Sequence, residues 1–100
     1  MKLNFAAILR FAAGKPEELP LPPVNWIEKD NTLYRKIEFK NFSAAFAFMT
    51  RVALEAHRMD HHPKWTNVYN TVEFWLSTHD AGDKVTEKDH QLAKRIDAVI

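Results

Sequence analysis

NFSAAFAFMTRVALEAHRMDHHP, residues 41–63, decides how the rest of the chain is read. Asn41 offers a short side-chain oxygen to the free N–H groups of a helix start and is read as its N-cap. Phe42, Phe46, Met49, Ala53 and Ala56 then recur at alternating spacings of four and three, which marks one helix face. Ala45, Phe48, Val52 and Met59 form a second row beside it. Together the rows span more than about 100° of the helix surface, wider than docking on one sheet needs. Either the helix is deeply buried, or one row covers a sheet while the other meets a second subunit, and an oligomer built at least partly on this helix is expected. Pro63 disfavours helical geometry at His62, so the helix should stop near Asp60 and leave the histidines where it gives way to a strand.

Upstream, Leu33, Ile37 and Phe39 fall on one face of a strand, with Tyr34, Lys36 and Glu38 on the other. Trp26 to Glu28 is a shorter strand, and Asp30-Asn31 between them is a turn, so a hairpin is expected. Downstream, strand signals run from Trp65 to Tyr69, and Val72, Phe74 and Leu76 alternate with Thr71, Glu73 and Trp75. Thr86-Glu87-Lys88-Asp89 is a capping box with Asp in place of the usual Glu, opening a last helix that carries Leu92, Ile96 and Val99 inward. Pro16, Pro20, Pro22 and Pro23 break residues 15–24, so an opening helix must end by about Gly14. The expected order is α-β-β-α-β-β-α, an α+β fold with a four-stranded antiparallel sheet and its helices on one face. Residues 1–24 are read as an N-terminal segment with a proline-rich connector, and 25–100 as a single domain.

Composition narrows the chemistry. One hundred residues, 46% of them hydrophobic, suit one compact domain and not two. With no cysteine, disulfides, thiolate catalysis and cysteine-based metal sites are excluded, and His, Asp and Glu remain as the chemical actors. Fourteen basic against thirteen acidic side chains leave no basic run to track a phosphate backbone, so direct nucleic-acid binding is not expected. The apolar stretch Phe5 to Leu9 is too short to span a bilayer, so no membrane role is expected, and the expected compartment is the cytoplasm, with the nucleus as the alternative in a eukaryote. The first sixteen residues hold Lys2, Arg10 and Lys15 but no acid, as transit peptides do. Leu3, Ala7 and Phe11 also share a helix face, and a helix packed on the domain is the favoured reading there.

Asp60-His61-His62-Pro63 and, later, Ser77-Thr78-His79-Asp80 both fall at the ends of predicted elements. A metal site is one reading, since His57 and His61 stand four apart, but Pro63 ends the helix they would share. Acid–base catalysis is a second: an imidazole titrates near pH 6.5, so one ring can accept a proton while another donates one. Asp60 and Asp80 adjoin the motifs and could orient the rings. Simple hydrogen bonding at element ends is the third. Spacing alone names no substrate.

Phe39-Lys40-Asn41-Phe42, the run from Phe48 to Leu54, Asp60-His61-His62-Pro63, Trp65, Asn67-Val68-Tyr69-Asn70 and the run from Leu76 to Asp80 closely resemble the pterin-4a-carbinolamine dehydratases. The likeness runs from about Trp26 to Asp97. It implies dehydration of 4a-hydroxytetrahydropterin to quinonoid dihydropterin, recycling the cofactor of aromatic amino-acid hydroxylases, with no metal or added cofactor. His61, His62 and His79 are implied as the catalytic set, His61 and His79 sharing acid and base work and His62 mainly positioning the ring. Pro63, Thr78, Asp80 and Ala81 join them as substrate contacts. Asp60, Trp65 and Asp89 are expected in support, Trp65 either walling the heterocycle or lying in the core. The resemblance also implies a homodimer or homotetramer through helix 42–59.

Three departures are visible. His57 stands where many relatives carry an acid, and the loop from Gly82 to Thr86 is one residue longer than the family's usual version, so the pocket rim should differ. The proline-rich opening barely resembles the family's first helix, which leaves residues 1–24 outside the resemblance. A competing role is a binding one, since some animal relatives stabilise the dimer of a homeodomain transcription factor through the long helix. A metal-dependent hydrolase ranks third.

Overall fold

The computed structural model describes residues 23–100. The expectations for the opening helix, the transit-peptide composition and Pro16, Pro20 and Pro22 lie outside the described residues. Strands β1 (Ile27–Lys29) and β2 (Thr32–Glu38) form the first hairpin. Its turn residues Asp30 and Asn31 both take positive φ, 52° and 62°, the geometry of a two-residue turn whose twist matches that of paired strands. Helix α1 spans Phe42–Met59, and Asn41 Oδ1 accepts the Ala44 N–H at 2.8 Å as its cap. Strands β3 (Lys64–Val68) and β4 (Thr71–Leu76) form the second hairpin, and α2 (Glu87–Ala98) follows. The strand bounds shift slightly from those expected. Trp26 sits just ahead of β1 with its indole buried, and Tyr69 lies in the β3–β4 turn at φ 50°.

The sheet is antiparallel throughout, in the order β1-β2-β4-β3. Pairing of β2 with β4 puts Leu33 opposite Leu76, Arg35 opposite Phe74 and Ile37 opposite Val72, so one face of the two central strands is nearly all apolar. Ala45, Phe48, Val52 and Ala56 of α1 and Leu92, Ala93 and Ile96 of α2 close over that face. Phe48 meets Phe74 edge-on, with ring centroids 6.0 Å apart. Burying a large apolar side chain of this kind contributes about 1.5–3 kcal/mol.

This packing separates the two rows of α1. The row of Ala45, Phe48 and Val52, joined by Ala56, covers the sheet, whereas Phe42 and Phe46 are 47% and 55% exposed and Leu54 is 56% exposed. Ala56 therefore belongs to the sheet-facing row and not to the row first assigned. Arg35, the one charged residue on the covered face of β2, is satisfied by Asp97 of α2, which also accepts the Trp26 indole N–H at 2.8 Å. That pair of contacts ties the first hairpin to the C-terminal half of α2. The end of α1, the end of β4 and the start of α2 meet at one place in the fold.

Candidate active site

Helix α1 ends by turning sharply. Asp60 takes the left-handed conformation (φ 53°, ψ 42°), its N–H bonds to His57 O at 3.0 Å, and the His61 N–H bonds to Ala56 O at 3.1 Å. This is the double bond pattern of a Schellman stop, with Asp where Gly is usual. It ends the helical register before His61, so His57 and His61 do not share a helix face. The turn buries His61 and leaves its neighbour His62 exposed.

His61 Nε2 lies 2.6 Å from Oδ1 of Asp89, which is fully buried. The second oxygen, Oδ2, accepts the Thr78 hydroxyl at 2.8 Å and the Thr86 N–H at 2.8 Å. Since the Thr78 hydroxyl has one proton and gives it to Asp89, the Thr86 hydroxyl, 2.6 Å away, must be the donor to Thr78. The expected capping box is present, and its carboxylate does a second job: it closes the first turn of α2 with one oxygen and holds a histidine with the other. A carboxylate only accepts, so the shared proton sits on Nε2 of His61 and Nδ1 is left with its lone pair when the ring is neutral.

His79 arrives from the other side. It opens a 3₁₀ turn, His79–Ala81, that Gly82 closes at φ 79° by donating its N–H to His79 O at 2.9 Å. Its ring is exposed and Nδ1 lies 3.1 Å from Asp83 Oδ1. The hydrogen bond to Asp83 and its charge, with the charge of Asp80 added, raise the imidazole pKa above its ordinary value.

Between these walls lies a cavity of about 240 Å³, lined by Asp60, His61, His62, Ser77, Thr78, His79, Asp80 and Lys88. The fold thus brings the three predicted histidines, Asp60, Thr78 and Asp80 to one space. Asp89 stands behind His61 and not in the lining, and neither Pro63 nor Ala81 lines the cavity. Trp65 does not wall it either: its ring packs on Phe74 at 5.6 Å, because the inward register of β3 points it at the core. Ser77 and Lys88 are lining residues that sequence reasoning missed. Ser77 adjoins Thr78 in the same motif, a signal sufficient to find it, whereas Lys88 is brought in only by the docking of α2. His90, next to Asp89, is fully buried, and among the described residues neither of its ring nitrogens has a hydrogen-bond partner.

A space of this size, open to solvent on one side, has room for a small planar molecule. Two imidazoles facing it from separate segments can move protons in opposite directions across a bound molecule.

Comparison with known proteins places the chain. The family model described as pterin 4 alpha carbinolamine dehydratase matches residues 12–99. Curated relatives bearing that dehydratase's name include one from Chelativorans sp. (strain BNC1), 52% identical over 71 residues and covering 71% of each chain. Another, from Mesorhizobium japonicum, is 60% identical over 65 residues, 65% of each chain. Among solved structures, the transcriptional coactivator/pterin dehydratase from Brucella melitensis superposes with a TM-score of 0.73 at 41% identity, over 76% of this chain and 82% of that one. The agreement in sequence and in fold makes this chain a member of the pterin 4 alpha carbinolamine dehydratase family.

Proposed function

We propose that the chain is a hydro-lyase that dehydrates 4a-hydroxytetrahydropterin, the pterin-4a-carbinolamine, to quinonoid dihydropterin and water. A carbinolamine carries hydroxyl and amine on one carbon. The C–O bond breaks with its electron pair on oxygen, which takes a proton from an imidazolium and leaves as water. A ring-nitrogen proton passes to a neutral imidazole, and the nitrogen pair forms the new C=N bond. One ring loses a proton and the other gains one, so exchange with water resets both. In this reading His61 and His79 are the two proton carriers and His62 positions the heterocycle, with the cavity segments around Thr78 and Asp80 in contact with it. Each well-placed acid or base contributes about 10²–10⁴ in rate.

The observation that carries this reading is the meeting of His61 and His79, from chain segments far apart in sequence, at one cavity, with His61 backed by a buried carboxylate. The test is formation of quinonoid dihydropterin from freshly made carbinolamine. The wild-type chain should accelerate it, and His61→Ala and His79→Ala should each lose most of that acceleration, while His62→Ala should chiefly raise KM. Wild-type turnover in the first two would remove the assignment.

The product is an oxidised pterin that a reductase can return to the tetrahydro form, so the same reading places the chain in tetrahydropterin recycling for aromatic amino-acid hydroxylases, in the cytoplasm. Among the described residues no helix is long and apolar enough to cross a membrane. We further propose a homodimer or homotetramer formed through α1. Phe42 and Phe46, whose rings lie 5.7 Å apart on its uncovered side, support this. Phe46→Asp should lower the sedimentation mass, and a monomeric wild type would refute the idea. A second reading, dimerisation cofactor for a transcription factor through α1, is favoured by the coactivator name of the Brucella melitensis relative. Copurification with such a factor, lost in Phe46→Asp, tests it.

A further inference from the structure

The His79 side chain is 91% exposed, and a ring so placed turns freely about its torsions unless something holds it. Asp83 is within reach, its Oδ1 3.1 Å from Nδ1. The loop that brings it round uses two successive left-handed residues, Gly82 at φ 79° and Asp83 at φ 60°. Asp and Asn are the non-glycine residues that enter this region most readily. The Asp83 N–H donates to Thr78 O at 3.1 Å, and the Thr78 N–H donates to Lys84 O at 2.8 Å. The loop is thereby pinned to the residue preceding His79. The hydroxyl of that same Thr78 goes to Asp89, so the loop hangs from the network that holds His61.

We propose that Asp83 is a positioning residue for the dehydration: it accepts the Nδ1 proton of His79, leaves Nε2 as the free nitrogen, and makes His79 the donor to the departing hydroxyl while His61 is the acceptor. The inference rests on reading His61 and His79 as the acid–base pair. The surroundings of His79 agree with a donor. Asp83 and then Asp80 raise its pKa, and water reaches the ring on nearly every side, so its charged form is solvated. Across the cavity, Asp60 adds a carboxylate to the same side of the balance, while Lys88 and any charge on His61 or His62 oppose it. On the opposite wall, His61 has committed Nε2–H to Asp89 and offers a lone pair on Nδ1.

The test is the pH dependence of turnover together with an NMR titration of the His79 ring, in wild type, Asp83→Asn and Asp83→Glu. Asn tolerates the left-handed backbone and removes only the charge. Turnover that needs a protonated His79 falls as pH rises through its pKa. In Asp83→Asn the His79 midpoint should drop and the alkaline limb of kcat should move with it to lower pH. Because the pair is exposed, the expected loss is about two- to fivefold in kcat near pH 8, with KM unchanged. Asp83→Glu keeps the charge but strains the left-handed backbone, so it should restore both in part. A midpoint and limb that do not move in Asp83→Asn would overturn the role of Asp83, given an inactive His79→Ala. If His79→Ala itself turns over like wild type, the acid–base reading fails first and takes this inference with it.

Discussion

His61 and His79 each pair a ring nitrogen with an aspartate, at 2.6 Å and 3.1 Å, and there the likeness stops. The His61 side chain is 10% exposed and its partner Asp89 is wholly buried, tied to Thr78 and to the first turn of α2. The His79 side chain is 91% exposed, its partner Asp83 is 72% exposed, and both stand on one loop. A buried carboxylate with its partners removed costs free energy because water cannot replace them, whereas an exposed one is simply hydrated. The same chemical pair is therefore part of the fold on one wall of the cavity and an adjustment of titration on the other.

The sharpest way to break this comparison is to remove each ring. Turnover should fall about 10²–10⁴-fold in both His61→Ala and His79→Ala. Thermal melts should then separate them: His79→Ala should melt with the wild type, while His61→Ala strips a partner from buried Asp89 and should lose about 1–3 kcal/mol. Identical melts would mean that the two walls are built alike. Next comes Asp89→Ala, which leaves the His61 ring, the Thr78 hydroxyl and the Thr86 N–H without their acceptor. We expect a loss of about 3–5 kcal/mol, read by denaturant titration, together with loss of activity. A variant as stable as wild type would show that Asp89 matters only to the chemistry.

The smallest effect is one of linkage. The pKa of His79 is raised in the folded chain, so any stability it adds is fully present below the ordinary imidazole value of 6.5 and is lost as pH rises through the raised value. The ring is exposed, so the difference in Tm between wild type and Asp83→Asn should be small at low pH and should close as pH rises through that window. A gap as wide as the one His61→Ala opens would place the His79 wall in the fold as well.

Much of the fold could be read in advance because its signals are local. Asn41, the Asp30-Asn31 turn and the Thr86 to Asp89 box act within a few residues, and the alternation in β4 fixes which of its side chains face inward. The β2–β4 pairing at the centre of the sheet leaves no such trace, since it is settled by which apolar faces meet α1 and α2. The site divides in the same way. The histidines announced themselves by clustering, but the lining role of Lys88 and the pairing of Asp83 depend on where the start of α2 and the loop before it come to rest. Trp65 was ambiguous for the converse reason: an aromatic at the start of a strand suits either a pocket wall or the core, and only the register with Phe74 decides between them.

Asp89 serves the first turn of α2 and His61 at once, and helix ends open far more readily than a domain unfolds. Each brief opening of that turn would release the ring and switch the molecule off while the sheet stays intact. Warmed gently, a preparation should fade in turnover before circular dichroism registers any change, and should recover in full on cooling.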